Sequence, residues 1–379
     1  MNVPISNPAD RDPRQYWVGF NFVKGIGAVR FRALLDFFGN PAVAWQAPKE
    51  ALLRAGLSPK IAENLQQVRS QISLEVIWER LEAAGIRVIT WEDEAYPRHL
   101  KEIDQPPPVL YVRGSLVPED EWAVAVVGTR RVTSYGRQVA EEVGRFLAQN
   151  GITVVSGMAR GVDALAHQAA LKAGGRTIAV LGNGVDRVYP PEHRRLAEEI
   201  IAQGALISDY PPGTPPDSSN FPPRNRIISG MTLATVVVEA GITSGALITA
   251  TFAAEQGREV FAVPGSILAL QSKGTNHLIQ DGATPLLEAK DILEVLNLKR
   301  LPEQRTARQV LPVDAVEARL LQVLGPEPAH IDEIRAQAEL PIEKVTAALV
   351  MMELKGMVRQ VGGMNYVAVR EEAEGYLGE

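Results

Sequence analysis

The chain of 379 residues contains no cysteine. That absence excludes disulfides, thiolate zinc sites and a cysteine nucleophile. Histidine is nearly as scarce, with five in all, so any chemistry has to rest on few groups. An excess of positive charge is missing too: 39 Lys and Arg stand against 45 Asp and Glu, a formal net charge of -6. A simple nucleic-acid binder carries a general basic bias, so an anion site here has to be local. No long uninterrupted apolar run occurs either. The longest candidate, TLATVVVEAGITSGALITATFAA, is broken by Glu239 and two glycines and ends in polar EQGRE. It reads as a strand, a turn and a helix rather than a membrane span. The opening MNVPISNPADRDPRQYW lacks the basic start and apolar run of a signal peptide, and a cytoplasmic location is expected.

What is present is the composition of an ordinary globular protein, 46% hydrophobic and 22% charged. Residues 1–75 read as a small helical domain. Within it, VKGIGAVRFRALL has the two-glycine turn of a helix-hairpin-helix or similar sterile-alpha-motif-like module, either a phosphate seat at a helix start or only a packing turn. Residues 80–298 form the next unit. GIRVITWEDEAYPRHL and PPPVLYVRGSL supply two short strands, followed by AVAVVG, ITVVSG, TIAVLG, ALISDYP, TVVVEAG and EVFAVPG, several alternating with amphipathic helices. Repeated strand and helix units imply a doubly wound, mostly parallel α/β sheet of extended Rossmann-like type. Polar residues 299–312 read as a linker, and residues 313–370 as three helices and a Gly-Gly hairpin, the pattern of a winged helix.

Ligands of open α/β sheets bind beyond the carboxyl ends of the strands, so the loops there are the candidates. GTRRVTSYG places Gly128, Arg130 and Arg131 after the first core strand, with a guanidinium where a dinucleotide fingerprint needs its second glycine. No GxxxxGK[ST] occurs, so nucleotide cofactors lose their usual signatures. SGMARGVDALAH puts Ser156, Gly157 and Arg160 at a helix start, where free amides favour an anion. Asp163 and His167 share a face of that helix, as a metal pair or as a polar packing pair; without a third ligand nearby, no metal and no cofactor is expected. In DYPPGTPPDSSNFPPRNRIISG the prolines are expected to stiffen a loop that aims Phe221, Arg224 and Arg226 before a helix begins, with Asn225 between the arginines. Thr243 and Ser244 start another helix, and Lys273 and Asn276 sit in SKGTNHLIQDGA. Each loop alone has a structural reading. Together they outline an anion groove with an aromatic face, suited to a nucleic-acid backbone.

The runs VGTRRVTSYG, SGMARGVDALAH, LGNGVDRVYPPEH, FPPRNRIISG, EAGITSGALITATFAAEQGREVFAVPG and SKGTNHLIQDGA, with YPRHL and PPPVLYVRG ahead of them, closely resemble the DNA-processing protein A family (DprA, also called Smf). The resemblance implies a bacterial, non-catalytic homodimer of natural transformation and competence. Such a protein binds incoming single-stranded DNA, protects it, and helps load the RecA recombinase on DNA carrying single-strand-binding protein. It also implies that Arg130, Phe221, Arg224 and Arg226 belong to the strand-binding pocket. Some relatives carry a basic residue a few positions before that phenylalanine, where this chain has Asp217, Ser218 and Ser219. Asn225 is expected to tie its loop to the loop's own backbone. Alanine at any of the three arginines is expected to weaken binding without unfolding the protein.

Across residues 313–369 eight acids, Glu343 and Glu353 among them, face five bases, a balance that favours protein contact over major-groove reading. An enzyme remains the alternative, because the α/β unit also distantly resembles the Rossmann-like nucleotide phosphoribohydrolases. Their catalytic glutamate lies at a helix start, whereas Glu239 precedes the turn in EAGITSGALITA. A pure scaffold would leave the arginine loops without a role.

Overall fold

The computed structural model describes residues 12–297 and, beyond them, 316, 319–320, 323–324, 329–338, 340–354, 358–361 and 363–368. The segment read as a linker, 299–312, and most of DAVEARLLQVL lie outside the described residues. Described residues up to 297 form one compact unit and those from 316 onward a second.

Six helices open the first unit: α1 (Arg14–Asn21), α2 (Ala28–Phe38), α3 (Pro41–Gln46), α4 (Lys49–Arg54), α5 (Pro59–Gln71) and α6 (Leu74–Ala83). Their aromatic side chains interlock, with Trp17 against Phe31 at 4.7 Å and Phe20 against Trp45 at 5.2 Å. Trp17 also meets Trp91 edge-on at 5.9 Å, just past the first strand, so the helices and the sheet share one buried core. The boundary drawn near residue 75 falls inside this unit. Two backbone carbonyls at the two-glycine turn are held by side chains. Gly25 O accepts from Arg30 Nη1 at 2.8 Å, and Lys24 O from Asn64 Nδ2 of α5 at 3.1 Å.

A nine-stranded sheet follows, in the spatial order β1-β2-β6-β5-β4-β3-β7-β8-β9. Its strands are β1 (Arg87–Thr90), β2 (Val109–Gly114), β3 (Ala123–Val127), β4 (Thr153–Ser156), β5 (Thr177–Val180), β6 (Ala205–Ser208), β7 (Ala234–Val237), β8 (Glu259–Ala262) and β9 (Thr284–Pro285). From β6 through β9 every pairing is parallel, and the β1–β2 hairpin adds antiparallel to β6. Strands β3 to β7 are buried along their whole length, which is why they read as continuous β-branched runs rather than alternating ones. The connecting helices are α7 (Arg98–Lys101), α8 (Ser134–Gln149), α9 (Val162–Lys172), α10 (Arg194–Gln203), α11 (Phe221–Gly230), α12 (Gly245–Glu255), α13 (Lys273–Gln280) and α14 (Asp291–Val295). Helix α8 shows why they form: Thr133 Oγ1 caps it by accepting from Gly136 N, and Ala140, Val143 and Leu147 recur on its buried face. From β3 the chain winds outward through β4, β5 and β6, then returns to pair β7 on the other side of β3. The switch point lies between β3 and β7, and the loops leaving those strands face each other there.

In the second unit β10 (Ala329–His330), β11 (Val358–Gln360) and β12 (Asn365–Ala368) make an antiparallel sheet in the order β10-β12-β11. Helices Ile331–Ala338 and Ile342–Leu354 pack on it through Ile334, Val345, Leu349 and Tyr366, the arrangement of a winged helix. Among the described residues no helix is long and apolar enough to cross a membrane.

Candidate nucleic-acid interface

The switch point opens into a cleft of about 670 Å³. Gly128, Thr129, Arg130 and Arg131 line one side, Phe221, Arg224 and Asn225 another, and Thr243, Ser244 and Gly245 the rim. A smaller slot adjoins it, between Arg130, Arg160, Tyr189 and Phe221.

Helix α11 begins at Phe221, and its prolines occupy the first turn, where a missing N–H costs nothing. FPPRNR is therefore helix rather than a stiffened loop, and this corrects the sequence reading. The helix sends its two arginines apart. Arg224 runs inward and is buried, its Nη1 donating to Gly157 O at 3.0 Å and to Val180 O. Burial pulls its pKa down to about 10, opposed chiefly by the negative charge of Asp163, so it stays cationic at neutral pH. Arg226 turns the other way, donating to Asp209 Oδ2 at 2.8 Å and to Gln105 O at 2.7 Å. It is a fastener outside the cleft lining, which the sequence reading did not foresee. Asn225 reaches beyond its own segment: its Nδ2 donates to Gly245 O at 3.2 Å and joins α11 to the start of α12.

The β4–α9 loop differs from expectation as well. Two of its amides are taken, since Gly157 N and Ala159 N both donate to Asp163 Oδ2, at 3.1 and 3.3 Å. The carboxyl group this loop holds is the protein's own. Burial raises the Asp163 pKa, with Arg224 and the two amides acting in opposition. Ser156 is buried and gives its hydroxyl proton to Val126 O at 2.7 Å, and Arg160 is paired with Glu192 at 2.6 Å. Ser244 Oγ caps α12 by accepting from Ala246 N at 3.4 Å. Asn276 is consumed by two bonds to the Gly265 backbone, and exposed Lys273 begins α13 outside the cleft lining. Arg130 and Arg131 remain: both are exposed and neither makes an ion pair with a described residue.

Asp163 and His167 do not act as a pair. Thr177 Oγ1 donates to Val154 O at 2.7 Å, so His167 Nδ1, at 2.6 Å from that hydroxyl, has to carry the proton. Among the described residues no group of three His, Asp or Glu is placed to hold a metal ion. Burial, with His193 and Arg224 nearby, pulls the His167 pKa down to about 3. The unfolded chain takes that proton near the ordinary value of 6.5. Stability from this group is therefore complete above pH 6.5 and drains away as the pH falls toward 3, by at most about 1.4 kcal/mol per pH unit. Asp163 and Asp209, both raised by burial, work in the opposite sense. A comparison with His167→Gln isolates the histidine: between about pH 6.5 and 4.5 the variant's melting temperature is expected to fall less than the wild type's. Parallel curves would overturn the assignment.

Contacts that the sequence does not show complete the site. The Glu239 carboxylate accepts from Thr133 N at 3.0 Å and Thr133 Oγ1 at 2.5 Å, while Glu239 O accepts from Thr129 N at 2.7 Å, so the two switch-point loops are laced together. Tyr189 stacks on Phe221 at 5.9 Å and 24°. The Arg130 guanidinium lies 5.6 Å from the centre of the Phe221 ring and that of Arg224 6.0 Å. Phe221 fits because Gly182 has no side chain; a Cβ there would stand 2.8 Å from the ring. The aromatic in LGNGVDRVYPPEH was the signal available for Tyr189.

Comparison with known proteins agrees with this architecture. Residues 87–297 match the family model "DNA recombination-mediator protein A", and residues 304–364 match "DprA winged helix domain". The protein Smf of Synechocystis is 36% identical over 388 residues, covering 93% of this chain and 98% of the relative. The crystal structure of DNA processing protein A from Streptococcus pneumoniae superimposes with a TM-score of 0.64 at 34% identity, covering 74% of this chain and 97% of that one. A structure of the Helicobacter pylori protein, described by its single-stranded DNA binding mode, gives a TM-score of 0.51 at 29% identity over 56% of this chain and 97% of that one. The family model spans the strands and loops that build the cleft, and a relative is matched along nearly its whole length, so the chain belongs to the DNA-processing protein A family.

Proposed function

We propose that this protein binds single-stranded DNA in the switch-point cleft, shields it during natural transformation and passes it to the RecA recombinase, without catalysis of its own. The observation that carries the reading is the meeting of two exposed guanidinium groups, Arg130 and Arg131, neither of them in an ion pair with a described residue, with the Tyr189–Phe221 aromatic pair. Guanidinium groups take phosphates and rings take unpaired bases, whereas a duplex hides its base faces. The relatives' names, DNA processing and recombination mediation, support the handover to RecA, on strands bared or coated with single-strand-binding protein. The compartment that goes with this role is the cytoplasm. A homodimer fits Ile267 and Leu268, which are 80% and 86% exposed, beside exposed Leu270. The phosphoribohydrolase alternative is disfavoured by Glu239, whose carboxylate is held against Thr133.

The test is salt-dependent binding of single-stranded and duplex oligonucleotides. Single strands are expected to bind more tightly. If Arg130 and Arg131 each neutralise one phosphate, the log-log salt slope is near about -1.4, roughly sevenfold from about 50 to 200 mM. Equal affinity for duplex would sink the reading. In the same series, a shortened lag in RecA filament growth on coated strands tests the handover, and light scattering of Leu268→Arg tests the dimer. Release of free base from nucleoside monophosphates, abolished by Glu239→Gln, would promote the enzyme instead.

A further inference from the structure

Phe221 has little ring left to offer a base. Tyr189 stacks on it, the Arg130 and Arg224 guanidinium groups stand 5.6 and 6.0 Å from its centroid, and Gly182 sits against its edge. Tyr189 is different: it is 36% exposed and lines both the cleft and the adjoining slot. Its loop is braced from within and from outside. Asn183 Nδ2 donates to Gly184 O at 2.9 Å and to Arg187 O at 2.7 Å, while Gly184 N donates to Thr214 O at 3.1 Å and the Asp186 carboxylate accepts from Gly213 N at 2.9 Å. A shelf held this way loses little freedom when a ring settles on it.

We propose that Tyr189 is the base-stacking residue of the cleft, taking one unpaired nucleobase on the ring face turned away from Phe221, with Phe221 and the guanidinium groups as its backing. The column is then base, Tyr189, Phe221, and the phosphate beside that base falls within reach of Arg130. This rests on the single-strand reading above and adds to it which side chain meets the base. Because every base has a π-face, the seat tolerates any sequence.

The experiment uses the full chain and a thymidine oligonucleotide carrying one 2-aminopurine, whose fluorescence is quenched by stacking. Wild type and Tyr189→Phe are expected to bind alike and to quench. Tyr189→Leu, which keeps an apolar cover over Phe221, is expected to lose about 5- to 160-fold in affinity, the range for one stacked base, with the salt slope unchanged and the quench lost. Tyr189→Leu with wild-type affinity and quench would overturn the proposal while leaving single-strand binding intact, whereas failure of the wild type to bind removes the reading beneath it. A second measurement does not depend on how the leucine variant folds. Photocrosslinking of an oligonucleotide containing 5-iodouracil to wild-type protein is expected to place the adduct on Tyr189, and an adduct confined to Phe221 or elsewhere would refute it.

Discussion

Arg224→Ala is expected to cost the protein about 3 to 5 kcal/mol of stability as well as its DNA binding, the penalty for stripping one member from a buried charged cluster. The substitution leaves Asp163 buried beside no cation and removes the donor from Gly157 O and Val180 O. It also takes away one of the guanidinium groups beside Phe221. Denaturant midpoints measure the effect, and an unchanged midpoint would mean that Arg224 does not hold the site together. This differs from the expectation that each arginine could be removed without unfolding. Arg130→Ala is the contrast, because that side chain is exposed and makes no ion pair with a described residue. It is expected to leave the melting temperature in place and to flatten the salt slope by about 0.7, one phosphate contact.

Gly161→Ala is expected to disable the cleft from beneath. Gly161 has φ 80° and ψ −127°, a conformation that L side chains rarely adopt and that costs about 1 to 3 kcal/mol when forced. Its added Cβ would lie 2.3 Å from Thr129 O and 2.9 Å from Arg130 Cα, so the loop carrying Arg130 has to move. Both the melting temperature and single-strand affinity are expected to fall, with affinity at or below that of Arg130→Ala. Gly174→Ala separates the two causes. Gly174 has φ 74° with nothing within 4 Å of its would-be Cβ, so it is expected to lose stability and keep full binding. A Gly161→Ala protein that binds as wild type would show that the loop yields without consequence.

The legible parts of this protein are those decided by neighbours in sequence. Five of the six core strands were readable because β3 to β7 are buried along their whole length, which forces unbroken apolar runs. Loops at their carboxyl ends were readable as candidates, since parallel strands bring those ends to one edge. The start of α11 was misread because prolines signal a loop and the first turn of a helix equally well. Asp163 was within sight, four to six residues from the amides it occupies, but sequence does not show which way a helix's first carboxylate turns.

Sequence alone therefore determined the doubly wound sheet, the edge that is the candidate for a ligand and the residue types gathered there, because periodicity and turn chemistry are short-range. Which of those residues are free to bind was left to the tertiary structure. Arg224 and Arg226 stand two positions apart, about 200° around a helix, so one enters the protein and the other meets Asp209. Glu239 reaches Thr133 across 106 positions, and Tyr189 finds Phe221 only because the loops after β5 and β6 lie side by side. Whether a charge is spent on a neighbour or left for a ligand depends on such long-range partners, and those exist only once the chain has folded.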